Sequence, residues 1–125
     1  LSHNRMERSA LVAVALALED NNVLVDLHLE DNNLDPTAAT AFGEALKTNR
    51  SLTRLSLRDN SIRSTGCAAL ADALQMNNVV RELDLRSNYI SHVGRVAVAA
   101  AVMPDAPSVK KAVKEMEDEE AANDV

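Results

Sequence analysis

The chain has 125 residues, with 13 Lys and Arg against 19 Asp and Glu, a net charge of −6, one Tyr, one Phe and no Trp. An acidic chain with so few aromatic rings excludes the usual nucleic-acid binder, which needs basic surface and stacking platforms. No apolar run reaches the roughly 20 residues of a membrane span; the Ala-rich stretch AVAAAV at 97–102 is too short.

The chain opens on LSHNRM, with Leu1, Asn4 and Met6. That pattern returns in full as VLVDLHLEDNNL, with Leu24, Leu27, Leu29, Asn32 and Leu34. It returns again 28 residues later as SLTRLSLRDNSI, with Leu52, Leu55, Leu57, Asn60 and Ile62, and once more as VVRELDLRSNYI, with Val80, Leu83, Leu85, Asn88 and Ile90. Between these copies, three further columns repeat in the same register: Val14, Phe42, Leu70, Val98; Ala17, Ala45, Ala73, Ala101; and Leu18, Leu46, Leu74, Val102. Each copy closes on Asn21, Asn49, Asn77 or Asp105. The columns' spacing of three to four is helical, so each unit is a short strand, a turn and a helix. A fixed period of this kind decides the architecture. It predicts a partial repeat at 1–21, full repeats at about 22–49, 50–77 and 78–105, and a repeat domain over 1–107.

Within a unit, Leu55 and Leu57 point to one face of the strand while Arg54, Ser56 and Arg58 alternate onto the other. Leu52 and Ile62 close the ends of the apolar layer, and Leu70, Ala73 and Leu74 cover it from the helix. Asn60 stands where the chain leaves the strand. Its amide can donate to and accept from backbone groups that the turn leaves unpaired. Asn4, Asn32, Asn60 and Asn88 are expected to form such a structural ladder. Ala41, Ala69 and Ala97 let neighbouring helices approach. Gly66 and Gly94, with Ala38 and Ala10 in their column, open each helix. Asp35 and Ser64 are the expected N-caps, and Pro36 suits a first helical position.

The motif is lost beyond the third full copy: the same register places Ser108, Lys111, Val113 and Met116 at the strand and Asn positions. Pro104 and Pro107 end the last helix. Val109, Ala112, Val113 and Met116 then form an apolar stripe, so 108–125 reads as a helix capping the last repeat and an acidic, disordered tail. The same stripe could instead bind a partner. Leu1 is not an initiator Met and falls halfway through a repeat, so the chain is expected to be part of a longer one or of an assembly.

The motif L-x-x-L-x-L-x-x-N-x-L in strict register resembles the leucine-rich repeat. The 28-residue period and the Ala- and Leu-rich helix are similar to its ribonuclease-inhibitor-like subclass. The resemblance covers 1–107. It implies an α/β leucine-rich-repeat solenoid with a curved parallel sheet on the concave side and helices on the convex side. It also implies a non-catalytic scaffold that binds a protein partner through its concave strands, without cofactor, in the cytoplasm and in cytoskeletal or ciliary assemblies. Three other functions belong to similar proteins: GTPase activation, as in the Ran activators; actin capping, as in the tropomodulins; and ligand sensing within nucleotide-binding receptors. None of the Ran activators' functional residues is matched here, and no actin-binding helix precedes these repeats.

The residues offer little chemistry. His3, His28 and His92 have no Cys or second His at metal-ligand spacing, and no Gly-rich phosphate loop exists among three glycines. Ser56, His28 and Asp84 share one column, but Ser stands in the middle, so His cannot bridge to Asp as a triad requires. The lone Cys67 excludes an intrachain disulfide, favours a reducing compartment, and, in a column with Leu11, Ala39 and Arg95, is expected to be partly exposed. The sequon Asn49-Arg50-Ser51 has no consequence there. What remains is the concave face, the expected partner-binding site: Asp26, Arg54 and Glu82; His28, Ser56 and Asp84; Glu30, Arg58 and Arg86. In the first column the signs alternate, as in a salt ladder. In the third, Arg58 and Arg86 stack like charges and Glu30 can neutralise only one neighbour directly, so Arg86, near Asp84, is expected to be left free as a hot spot for an acidic partner.

Overall fold

The computed structural model describes residues 6–91. Asn4, the latter part of the third full repeat and the segment 108–125 lie outside those residues. Three helices alternate with three strands: α1 (Arg8–Asp20), β1 (Asp26–His28), α2 (Pro36–Thr48), β2 (Arg54–Ser56), α3 (Arg63–Leu74) and β3 (Glu82–Asp84). The strands pair in parallel in the order β1-β2-β3, with Leu27, Leu55 and Leu83 in register. The offset between paired strands equals the sequence period, so equivalent residues of successive repeats become lateral neighbours in an α/β solenoid.

Alternation within each strand sends one side chain inward and its neighbours outward: Leu55 is buried between exposed Arg54 and half-buried Ser56. The leucines of the strands and the following turns (Leu27, Leu29, Leu55, Leu57, Leu83, Leu85) meet Phe42, Leu46, Leu70 and Leu74 from the helices in one core. Leu52 and Ile62 are fully buried at the two ends of this layer. The helices pack closely because small residues line their contact. A Cβ on Gly43 would stand 2.9 Å from the Ala69 carbonyl oxygen, and one on Gly66 would meet Ala39 Cβ at 2.8 Å.

α2 begins as its sequence predicts. Pro36 holds the first turn, and Asp35 Oδ1 accepts the Ala38 N–H at 2.9 Å. Burial pushes the Asp35 carboxyl up, but the Ala38 N–H and the Arg8 guanidinium outweigh it and hold it below its usual value. α3 departs from expectation. Each turn has two left-handed residues: Asp31 and Asn33 in the first full repeat, Ser87 and Tyr89 in the third, but Asp59 and Arg63, the latter at φ 59°, in the second. Ile62 already has helical angles, so Ser64 lies inside the first turn and does not cap it. Its hydroxyl sits 2.7 Å from that of Ser91. Cys67 is also corrected: its column with Leu11 and Ala39 faces the neighbouring helix, and all three are fully buried. Burial pushes the thiol up to about 11.

Candidate functional site

Two Asn columns hold the repeats in register from inside. Asn60 Oδ1 accepts the N–H groups of Asn32 and Leu34 at 3.0 and 2.9 Å. Its Nδ2 donates to the carbonyls of Leu29 and Leu57 at 3.0 and 2.8 Å. One amide thus closes the turn of its own repeat and that of the repeat before it. Asn88 repeats the pattern, accepting from Ile62 N–H and donating to Leu57 and Leu85 carbonyls. Asn32 accepts the Met6 N–H and donates to the Glu30 carbonyl.

The second column carries a role that the sequence reading did not assign. Asn49 accepts from the N–H groups of Ser51 and Leu52 and donates to the carbonyls of Leu18 and Asn21. It ties the open C-terminus of α1 to the start of the next repeat. Asn77 does the same for Leu46 and Asn49. The signal was visible as Asn at a fixed place after each helix, where orphan carbonyls gather. Among the described residues, no buried side-chain nitrogen or oxygen is left without a partner.

Six of the nine polar positions singled out above lie in the strands (Asp26, His28, Arg54, Ser56, Glu82 and Asp84), and Glu30, Arg58 and Arg86 stand two residues beyond the strand ends, where the turns begin. Pairing sets Asp26 beside Arg54 and Arg54 beside Glu82. Arg54 lies 3.8 Å from Asp26 and 3.6 Å from Glu82. His28 is clamped along its own strand, with Nε2 2.8 Å from Asp26 Oδ1 and Nδ1 3.1 Å from Glu30 Oε1. Only an imidazolium donates from both ring nitrogens, and hydrogen bonding to Glu30, reinforced by Asp26 against slight desolvation, raises the His28 pKa. With His28 protonated, Glu30, His28, Asp26, Arg54 and Glu82 form one chain of alternating charge.

The expectation that Arg86 is free is corrected. Its Nε and Nη2 grip Asp84 at 3.0 and 2.7 Å in a two-point fork, a geometry that planar guanidinium and carboxylate favour. Burial pushes the Asp84 carboxyl up, but the Arg86 side chain and N–H outweigh it and hold it below its usual value. Arg58 turns to Asp59 at 3.4 Å. The column of His28, Ser56 and Asp84 is in register, but its ionic members are engaged along their own strands. When both His28 ring nitrogens donate to Asp26 and Glu30, the ring has no lone pair to accept a proton from Ser56. Among the described residues, no group of His, Cys, Asp and Glu is arranged to hold a metal.

A family model described as Leucine Rich repeat matches residues 20–43, 48–71 and 77–99. The chain belongs to the leucine-rich-repeat family. Leucine-rich repeats of this kind are generally non-catalytic modules for protein interaction. Among solved structures, the repeats are similar to a chain titled Leiomodin-1 Actin-Binding Site 2, with a TM-score of 0.74 and 23% identity over 94% of this chain and 78% of that one. No curated protein matches the sequence. No helix among the described residues is long and apolar enough to cross a membrane.

Proposed function

We propose that this leucine-rich-repeat chain is a non-catalytic interaction module of the ribonuclease-inhibitor-like kind, binding a partner protein through its concave strand face. Its site is Asp26, His28, Glu30, Arg54, Ser56, Arg58, Glu82, Asp84 and Arg86. The observation that carries the reading is that Asp26, Arg54 and Glu82, and likewise His28, Ser56 and Asp84, stand in register across the three strands, above a core in which no buried side-chain nitrogen or oxygen of the described residues lacks a partner. Such a frame presents charge and shape without rearrangement, which lowers the cost of binding. The test is crosslinking mass spectrometry on the native protein beside a variant with Arg54, Arg58 and Arg86 changed to Glu. Loss of strand-face crosslinks to one partner in the folded variant supports the reading; their persistence removes it.

A second reading is an actin-binding module resembling the tropomodulins. The likeness to the actin-binding site of Leiomodin-1 favours it. Cosedimentation with filamentous actin and a pointed-end growth assay separate the two. Failure to pellet together with unchanged growth removes the actin reading and leaves the first standing.

A further inference from the structure

The turns that lead from strands to helices form a rim beside the strand face, and charge is not spread evenly along it. At two positions of this rim the first full repeat carries Glu30 and Asp35. At the same positions the second carries Arg58 and Arg63, and the third carries Arg86 and Ser91. At these two positions the charge turns from acidic to basic after the first full repeat, although Asp31 and Asp59 stand in the same turns. Arg58 is held by Asp59 and Arg86 by Asp84, whereas Arg63 makes no ion pair among the described residues. Its guanidinium lies 5.5 Å from the centre of the Tyr89 ring, within cation–π range.

Tyr89 is the chain's only tyrosine, it is 73% exposed, and its backbone is left-handed at φ 58°. The turn itself does not ask for an aromatic. Asn33, the equivalent residue of the first full repeat, takes the same conformation at φ 56°, and Asn adopts it more readily than a bulky side chain does. A large ring thus occupies a strained, solvated position where a smaller residue serves the fold. Tyr and Arg are also the side chains that most often anchor protein interfaces.

We propose that the Arg63–Tyr89 stack is the anchor for an extended, acidic segment of a partner protein. A carboxylate of that segment seats on Arg63, and the apolar side chain next to it lies on the Tyr89 ring. The proposal rests on the reading of the chain as an interaction module and moves the centre of binding from the strand face to the basic end of the rim. The strand face suits this less well, because its charges already neutralise one another.

The test probes immobilised 12-residue peptides with the 125-residue chain. Each peptide carries one Leu or Phe flanked by Asp and Glu, by Asn and Gln, or by Lys. The acidic–apolar set alone binds. Arg63→Glu and Tyr89→Asn each weaken binding about tenfold or more, the scale of an interface hot spot, while Tyr89→Asn holds or raises the melting temperature. Lys47→Glu, the same charge reversal on α2, leaves binding unchanged. Binding without charge preference, or unchanged by Arg63→Glu, overturns the proposal. Loss with Arg54→Glu but not with Arg63→Glu also overturns it and leaves the strand-face reading standing. No binding by any acidic peptide overturns it too, without touching that reading.

Discussion

Asn60 and Arg54 each stand in a column with the 28-residue period, and each reaches a neighbouring strand or turn. They differ in the medium around them. Asn60 is 4% exposed and works on backbone groups that have no water to turn to. The Arg54 side chain is 60% exposed, with ion pairs of 3.6 and 3.8 Å. Inside, a lost partner leaves several groups orphaned; outside, water replaces it. Periodicity alone therefore does not say what a column is for. The buried column sets register, while the exposed one is free to vary with what the face must bind.

Truncating the two side chains gives the largest contrast. Asn60→Ala strands the N–H groups of Asn32 and Leu34, while the Leu57 carbonyl keeps the Asn88 amide; at about 1–3 kcal/mol for each unsatisfied buried group the loss is about 2–6 kcal/mol. Arg54→Ala costs about 0.5 kcal/mol, as exposed pairs do. Urea unfolding of both variants measures the difference. Equal losses would break the comparison and make the strand face part of the framework.

The helix side can be tested in the same way. A methyl on Gly43 meets the backbone of α3, with 2.9 Å to the Ala69 oxygen, and backbone cannot swing aside as a side chain can. Gly43→Ala should therefore cost about 1–3 kcal/mol despite the better helix propensity of Ala. A gain in stability would show that the helices are loosely stacked.

Asp35→Ala removes the cap of α2 at about 1 kcal/mol. Because the folded Asp35 pKa is lowered, the wild type keeps this contribution above the ordinary Asp value and loses it as pH falls through the lower folded one. Acid unfolding of the two proteins should accordingly converge below about pH 4. A difference that persists unchanged through that range would mean that the carboxylate is not what caps the helix.

The strand and helix pattern was legible because leucines at intervals of three, two and five fit only one stacked unit. The register followed, since the columns align without a gap. Three features were not legible. Ser64 looked like a cap, but the second left-handed residue of its turn falls two positions later than in the neighbouring repeats, which only the backbone path reveals. Cys67 looked exposed because Arg95 shares its column, yet Leu11 and Ala39 describe its surroundings. Arg86 looked free because the columns show lateral neighbours only. Its partner, Asp84, is two residues back along the chain, at the end of β3. His28 follows that rule as well, bonding along its strand to Asp26 and Glu30 rather than across to Ser56.

The smallest effect belongs to His28, and it tests whether the strand face is preorganised. Its folded pKa is raised, so the stabilising contribution is fully present below the unfolded value of about 6.5 and is lost as pH rises through the higher folded value. His28 is more than half exposed, so the change in global stability is small, and NMR titration of the ring is the sharper measurement. The wild type should titrate above the ordinary His value. Glu30→Gln should lower the midpoint more than Asp26→Asn, since the Glu30 hydrogen bond is the largest cause. If neither variant moves it, solvent holds the ring, and the alternating chain from Glu30 to Glu82 does not persist in solution. The face would then be a set of independent charges, open to a partner of either sign. If both variants move it, the charges of the face are already engaged before any partner arrives. A partner must then displace or match them together, and that constraint is what distinguishes the strand face from Arg63 on the rim, which makes no ion pair among the described residues and lies over Tyr89.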